Sequence, residues 1–185
     1  ARQTHAYLDR CPGLDCEPRL FSKPDAARQL RQEFARPGYR PAVIAIGTNT
    51  DPYQPVERDL RITRSVLEVL DECAHPVALV TKSQAILRDL DLLTSLAERS
   101  LVRVMLSITT LDAGLARTLE PRASTPAARL QTMRRLHEAG VPVGVMVSPV
   151  IPSLTDTELE SVLHSAREAG ARWASAILLR LPREV

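Results

Sequence analysis

A chain of 185 residues is long enough to bury one substantial core, and one domain is the expectation. With 44% hydrophobic and 25% charged residues the balance is that of a globular domain rather than a disordered one, and a net charge of +2 is too small to announce a nucleic-acid or membrane partner. No apolar run can cross a bilayer, and Arg2, His5, Asp9 and Arg10 interrupt the place where a signal peptide would be apolar, so a cytoplasmic location is expected.

Residues 1–40 read as a loop and a first helical region, and residues 41–185 as repeating strand–helix units. Cys11 and Cys16, separated by four residues including Pro12 and Gly13, do not match paired-cysteine zinc spacing, and the odd total with Cys73 argues against a disulfide framework. The first strand is Ala42 to Ile46, a continuous β-branched run of the kind buried on both faces of a parallel sheet. A polar segment from Gly47 to Glu57 follows it, then a helical pattern carrying Leu60, Val66, Leu67 and Leu70, with Cys73 expected as a small core residue near its end. Further strands are read at Pro76 to Val80, Val102 to Ile108, Val141 to Val147 and Trp173 to Leu179, with Trp173 a packing residue. Thr125 before Pro126 predicts an N-cap with proline at the first helical position, and Thr155-Asp156-Thr157-Glu158 predicts a capping box. The faces Leu130, Met133, Leu136 and Leu159, Val162, Leu163, Ala166 are core faces, and Gly140 and Gly170 stand where helices need a left-handed cap.

Five strands alternating with helices, in units of roughly 30 residues, mean an α/β fold with parallel strands. It is either an open doubly wound sheet or part of a barrel, and periodicity does not choose. No Gly-x-Gly-x-x-Gly or Walker glycine loop follows any strand, so the usual nucleotide-binding open sheets lose support.

Ligands of α/β folds gather at the carboxyl ends of the strands. Those ends carry Asn49, Thr50 and Asp51, then Thr81 and Lys82, then Ser107, Thr109 and Thr110, then Ser148, then Arg180. Hydroxyls, an amide, a carboxylate and two cations converging on one mouth suit a zwitterionic ligand bearing a sugar. Plainer readings stand beside this one. Asp51, followed by Pro52 and Pro55, is a natural turn former or cap, Lys82 a solvated loop lysine, and Glu120, Arg122 and Arg129 a surface salt bridge. His5, His75, His137 and His164 have no second ligand at metal spacing and take surface or structural roles.

The segment Thr48-Asn49-Thr50-Asp51-Pro52-Tyr53-Gln54-Pro55, with Glu57, Val80-Thr81-Lys82-Ser83, Leu106-Ser107-Ile108-Thr109-Thr110, Glu120-Pro121-Arg122 and Arg129, resembles the spore-photoproduct-lyase-like branch of the radical SAM enzymes, especially its uncharacterised bacterial members. The opening Ala1-Arg2-Gln3-Thr4-His5-Ala6-Tyr7-Leu8 resembles the sequence just after that family's cysteine loop. The resemblance implies a partial (β/α)6 barrel lacking its first strand and cluster loop, with this chain supplying strands two to six. It also implies S-adenosylmethionine and a [4Fe-4S] cluster as cofactors, reductive cleavage to a 5′-deoxyadenosyl radical, and an electron donor such as flavodoxin or ferredoxin. Nucleic acid enters by analogy alone. Carried over by motif, Thr50 and Asp51 handle the methionyl group, Lys82 meets its carboxylate and Ser107 lies near the ribose, while Asn49 and Arg180 join them as cofactor-binding candidates. No catalytic residue and no metal ligand is assigned.

Two departures matter. No cysteine here has the cluster spacing, so the chain as given lacks the cluster ligands and is expected to be inactive alone. Thr48 stands where the lyase has its hydrogen-donating cysteine, and a hydroxyl is a poor hydrogen-atom donor. The alternative is a degenerate barrel that binds a small molecule without catalysis. With no covering helix after Leu181-Pro182-Arg183-Glu184-Val185, both ends read as cut.

Overall fold

The computed structural model describes residues 22–180, so Cys11, Cys16, the opening segment and the last five residues lie outside the described residues. Five strands form, β1 (Ile44–Ile46), β2 (Val77–Thr81), β3 (Val102–Ser107), β4 (Val143–Val150) and β5 (Ala174–Leu178), all parallel and ordered β1-β2-β3-β4-β5. Each falls within the run predicted for it or shifts by at most three residues at an end. The sequential order decides what periodicity left open. A doubly wound sheet reverses direction at a switch point, whereas here every crossover advances one strand the same way, which gathers the helices on one face and leaves the other as the inside of a partial barrel.

The helices are α1 (Ala26–Phe34), α2 (Glu57–Leu60), α3 (Ile62–Glu72), α4 (Leu90–Glu98), α5 (Ala113–Leu119), α6 (Pro126–Glu138) and α7 (Leu159–Glu168). Alternate strand residues, among them Val77, Leu79, Val104, Leu106, Val143 and Val145, meet Leu67, Leu70, Leu93, Leu96, Met133, Leu136 and Val162 in one buried core. Full burial of a side chain of this size contributes about 1.5–3 kcal/mol, which is what holds the helix layer to the sheet.

The intervening residues face the barrel interior in register: Ala45 beside Ala78 beside Arg103, and Val80 beside Met105 beside Gly144. Gly144 leaves room for the Trp173 indole, since a Cβ there would come within 2.3 Å of its Nε1. The indole N–H donates to Met105 Sδ at 2.6 Å, and the Arg103 guanidinium lies 5.6 Å from the ring centroid. Trp173 is therefore a packing residue, set against the inner face of β3 and β4.

Helix ends follow the sequence at α6, where the Thr125 hydroxyl accepts from Ala128 N at 3.3 Å and Pro126 takes the first position. Gly140 and Gly170 adopt φ of +79° and +97° as predicted. The capping box does not form. Residues Asp156–Glu158 make a 3-10 turn before α7, Thr155 Oγ1 accepts instead from Ile151 N at 2.8 Å, and Glu158 reaches away to the loop after β3. Cys73 is not a core residue: α3 stops at Glu72, and Cys73, one position beyond the last helical turn, is exposed. His75 is structural, stacked on Phe34 at 4.4 Å between centroids. Its Nδ1 donates to the Pro76 carbonyl at 3.1 Å, so Nε2 accepts from the Tyr39 hydroxyl at 2.7 Å.

Candidate functional site

Gly47 ends β1 at φ +95°, and a Cβ there would sit 1.9 Å from the Val80 carbonyl oxygen, so glycine alone lets the chain cross the end of β2. Asp51 then fastens the crossing. Its Oδ1 accepts from Tyr53 N at 2.9 Å and Thr81 Oγ1 at 2.7 Å, and its Oδ2 from Lys82 N at 2.8 Å. The turn-former reading of Asp51 is thus realised, with the added result that the turn is tied to the next strand.

Below this loop lies a second layer of polar support. Thr63 Oγ1 donates to the Pro52 carbonyl at 2.6 Å, and Thr63 N to Glu57 Oε1 at 2.7 Å. Arg88 donates to the Glu57 carbonyl at 2.8 Å and grips the buried Asp89 with two bonds of 3.1 Å, while Arg64 reaches the same carboxylate at 3.2 Å. Tyr53 is buried among them, and burial, followed by the Asp89 carboxylate, pushes its phenol far above the ordinary value. Much of the distinctive polar segment therefore holds itself up, and Thr48, Asn49 and Thr50 are exposed at the mouth.

Lys82, just past β2, directs its ammonium to Glu120. The other Glu120 oxygen accepts from Arg129 Nη2 at 2.6 Å. Arg129 also donates through Nη1 to the Ser107 carbonyl at 2.8 Å and through Nε to the Ser124 carbonyl at 2.7 Å. The side chains are 36%, 14% and 2% exposed for Lys82, Glu120 and Arg129, so Glu120 and Arg129, predicted with Arg122 as a surface salt bridge, form an interior link that also engages the predicted ligand cation. Burial pushes the Glu120 carboxyl up, but Lys82 and Arg129 outweigh it and hold the group below its ordinary value. At the next gap, Glu158 accepts from Thr110 Oγ1 at 2.7 Å and Leu111 N at 2.8 Å, and Thr109 Oγ1 donates to the Ser148 carbonyl at 3.3 Å.

These ties frame a cavity of about 290 Å³ at the carboxyl ends of β1 to β4, lined by residues 47–51, 80–82, Ser107, Met146 and Ser148. Asn49, Thr50, Asp51, Lys82 and Ser107, predicted together from sequence, meet in it; Arg180 is exposed beyond β5 and is not among its lining residues. A smaller hollow of about 90 Å³ also touches Glu120 and is lined by Ala116, Ser124 and Pro126, in the segment between β3 and α6. Sequence reading missed Glu120, Arg129, Glu57 and Arg88 as supports. Glu120 and Arg129 stood in the quoted motifs, but nothing local revealed that they face Lys82.

The cavity suits a molecule with a carboxylate and a sugar, offering the Lys82 ammonium, the Asn49 amide and hydroxyls from both sides, in a volume near the lower end of ordinary ligand sites of about 300 Å³. An iron–sulfur cluster is not matched by the described residues: the cysteine among them, Cys73, lies before β2, at the opposite end of the sheet from the cavity. No group of three or more His, Cys, Asp or Glu suited to a metal occurs among the described residues. No described helix is long and apolar enough to cross a membrane.

Comparison with known proteins agrees with this geometry. The profile of the Radical SAM superfamily matches residues 13–166. The uncharacterized protein Rv2578c of Mycobacterium tuberculosis is 37% identical over 183 residues, covering 98% of this chain and 54% of the relative. The uncharacterized protein MJ0683 of Methanocaldococcus jannaschii is 32% identical over 115 residues, covering 62% of this chain and 43% of the relative. The chain thus spans about half the length of the relatives it matches, 54% of Rv2578c. Among solved structures, SuiB of Streptococcus suis bound to S-adenosylmethionine superposes with a TM-score of 0.63 at 18% identity, over 90% of this chain and 36% of SuiB. At that identity the likeness establishes the fold, five parallel strands alternating with helices in a partial barrel. On the extent of the profile match, the chain belongs to the radical SAM superfamily.

Proposed function

We propose that this chain is the cofactor-binding core of a radical SAM enzyme similar to spore photoproduct lyase, with S-adenosylmethionine held in the strand-end cavity. The observation that carries the reading is the meeting of Thr48 to Asp51, Lys82 and Ser107 in one cavity of a chain from this superfamily. Lys82 supplies the cation for the methionyl carboxylate, Ser107 a hydroxyl for the ribose, and Asn49 and Thr50 the remaining polar contacts. Asp51, whose carboxylate already serves three donors, shapes the loop that presents them. When bound, the cofactor supplies one-electron cleavage of a carbon–sulfur bond, with a flavodoxin or ferredoxin as the reductant the family implies. The thiolates for a cluster would come from outside the described residues.

The reading departs from spore photoproduct repair at Thr48. Its O–H bond is stronger than the S–H bond of a cysteine, so a final hydrogen transfer to a lesion would not run through this position. The substrate is then something other than the spore lesion, with nucleic acid standing only on analogy. The test is anaerobic: a version extended through a cysteine cluster loop, loaded with its cluster and reduced, is expected to convert S-adenosylmethionine to methionine and 5′-deoxyadenosine. A loaded protein that neither binds nor cleaves it would reject the assignment.

A further inference from the structure

The cavity's cation is already neutralised. Lys82 is paired with Glu120, yet Glu120 does not depend on Lys82 for its position. Arg129, 2% exposed, spends its guanidinium on the Ser124 carbonyl, the Ser107 carbonyl and Glu120, and so anchors that carboxylate to the end of β3 and the start of α6. Lys82 is the movable member, on a four-carbon stem and 36% exposed. If its ammonium leaves, Glu120 keeps Arg129 as its partner, so the exchange strands no unpaired buried charge.

We propose that Glu120 is a positioning residue that acts as the internal counter-ion of Lys82, holding its ammonium at the cavity until a ligand carboxylate displaces it. The inference rests on the reading that the cavity takes the methionyl carboxylate of an adenosyl ligand. Its consequence is selectivity. A free inorganic anion has to compete with a carboxylate fixed in place, whereas a carboxylate carried on a ligand held elsewhere in the cavity competes at a high effective concentration. The arrangement admits anchored carboxylates and turns away simple anions.

Calorimetry with two ligands isolates the role: S-adenosylhomocysteine, which carries the amino-acid carboxylate, and methylthioadenosine, which lacks it. Glu120→Gln keeps an amide oxygen for Arg129 while removing the competing charge. Removing the fixed carboxylate that competes for Lys82, at intermediate effective dielectric, is worth about tenfold in binding. Glu120→Gln is therefore expected to bind S-adenosylhomocysteine about tenfold more tightly and methylthioadenosine unchanged, and the gain should vanish when Lys82→Met is added. Weaker binding of S-adenosylhomocysteine, an equal change for both ligands, or a gain that persists without Lys82 overturns the counter-ion role. Failure of the unaltered protein to bind either ligand overturns the adenosyl-site reading itself, and the counter-ion role with it.

Discussion

Gly47 and Lys82 show how differently single residues serve the cavity. Gly47 matters for what it lacks, since any side chain would enter the Val80 carbonyl; Lys82 matters for its charge, which the structure pairs with Glu120. In a version extended through a cysteine cluster loop, Lys82→Met keeps most of the apolar stem and loses the cation, so calorimetry should show S-adenosylmethionine binding weakened by about 1.5–3 kcal/mol, the usual worth of a charge-assisted hydrogen bond. The fold should be retained, because Arg129 still holds Glu120. Unchanged affinity would remove Lys82 from the site. At this scale the polar density after the first strand made Asn49, Thr50 and Asp51 legible as site residues. The bonds of Asp51 to the next strand were not, because Thr81 and Lys82 stand 30 and 31 positions away and only sheet pairing brings them close.

The elements were legible where one local signal dominated. Each β-branched run became a parallel strand, and Thr125-Pro126 became a helix start whose hydroxyl accepts from Ala128 N. Thr125→Ala is accordingly expected to cost about 1 kcal/mol in chemical denaturation, as loss of an N-cap does, without altering ligand affinity. Thr155 to Glu158 has an equally good local pattern and does otherwise. A better partner exists in space, because Glu158 takes both the Thr110 hydroxyl and the Leu111 amide and so ties the loop after β3 to the approach to α7. The same logic runs around the mouth: Asp51 joins the end of β1 to β2, Glu120 with Arg129 joins β2 to β3, and Glu158 joins the loop after β3 to the segment after β4. Carboxylates stitch the rim from β1 to β4, which local sequence patterns cannot announce.

At the scale of the whole molecule, those stitches link stability to pH. Glu120 has its folded value lowered from an ordinary 4.5, so its contribution is fully present above that ordinary value and is lost as pH falls through the lowered folded value. Glu72 beside Arg31 and Asp91 beside Arg64 shift the same way but lie exposed, where solvent screens them. Denaturation free energy should therefore be level near neutrality and fall in acid below about pH 4.5, with a shallower fall in Glu120→Gln. An unchanged acid limb in that variant would show that the interior link does not contribute. The placement of Trp173 has a practical consequence as well. It is the sole tryptophan of the chain, and its indole bridges β3 and β4 from the start of β5, against the Met105 sulfur and the Arg103 guanidinium. The protein thus carries its own optical reporter. Indole emission follows the docking of β5, whose residues are all exposed, while far-ultraviolet dichroism follows the helices, so loosening of that strand can be watched apart from global unfolding with no label attached.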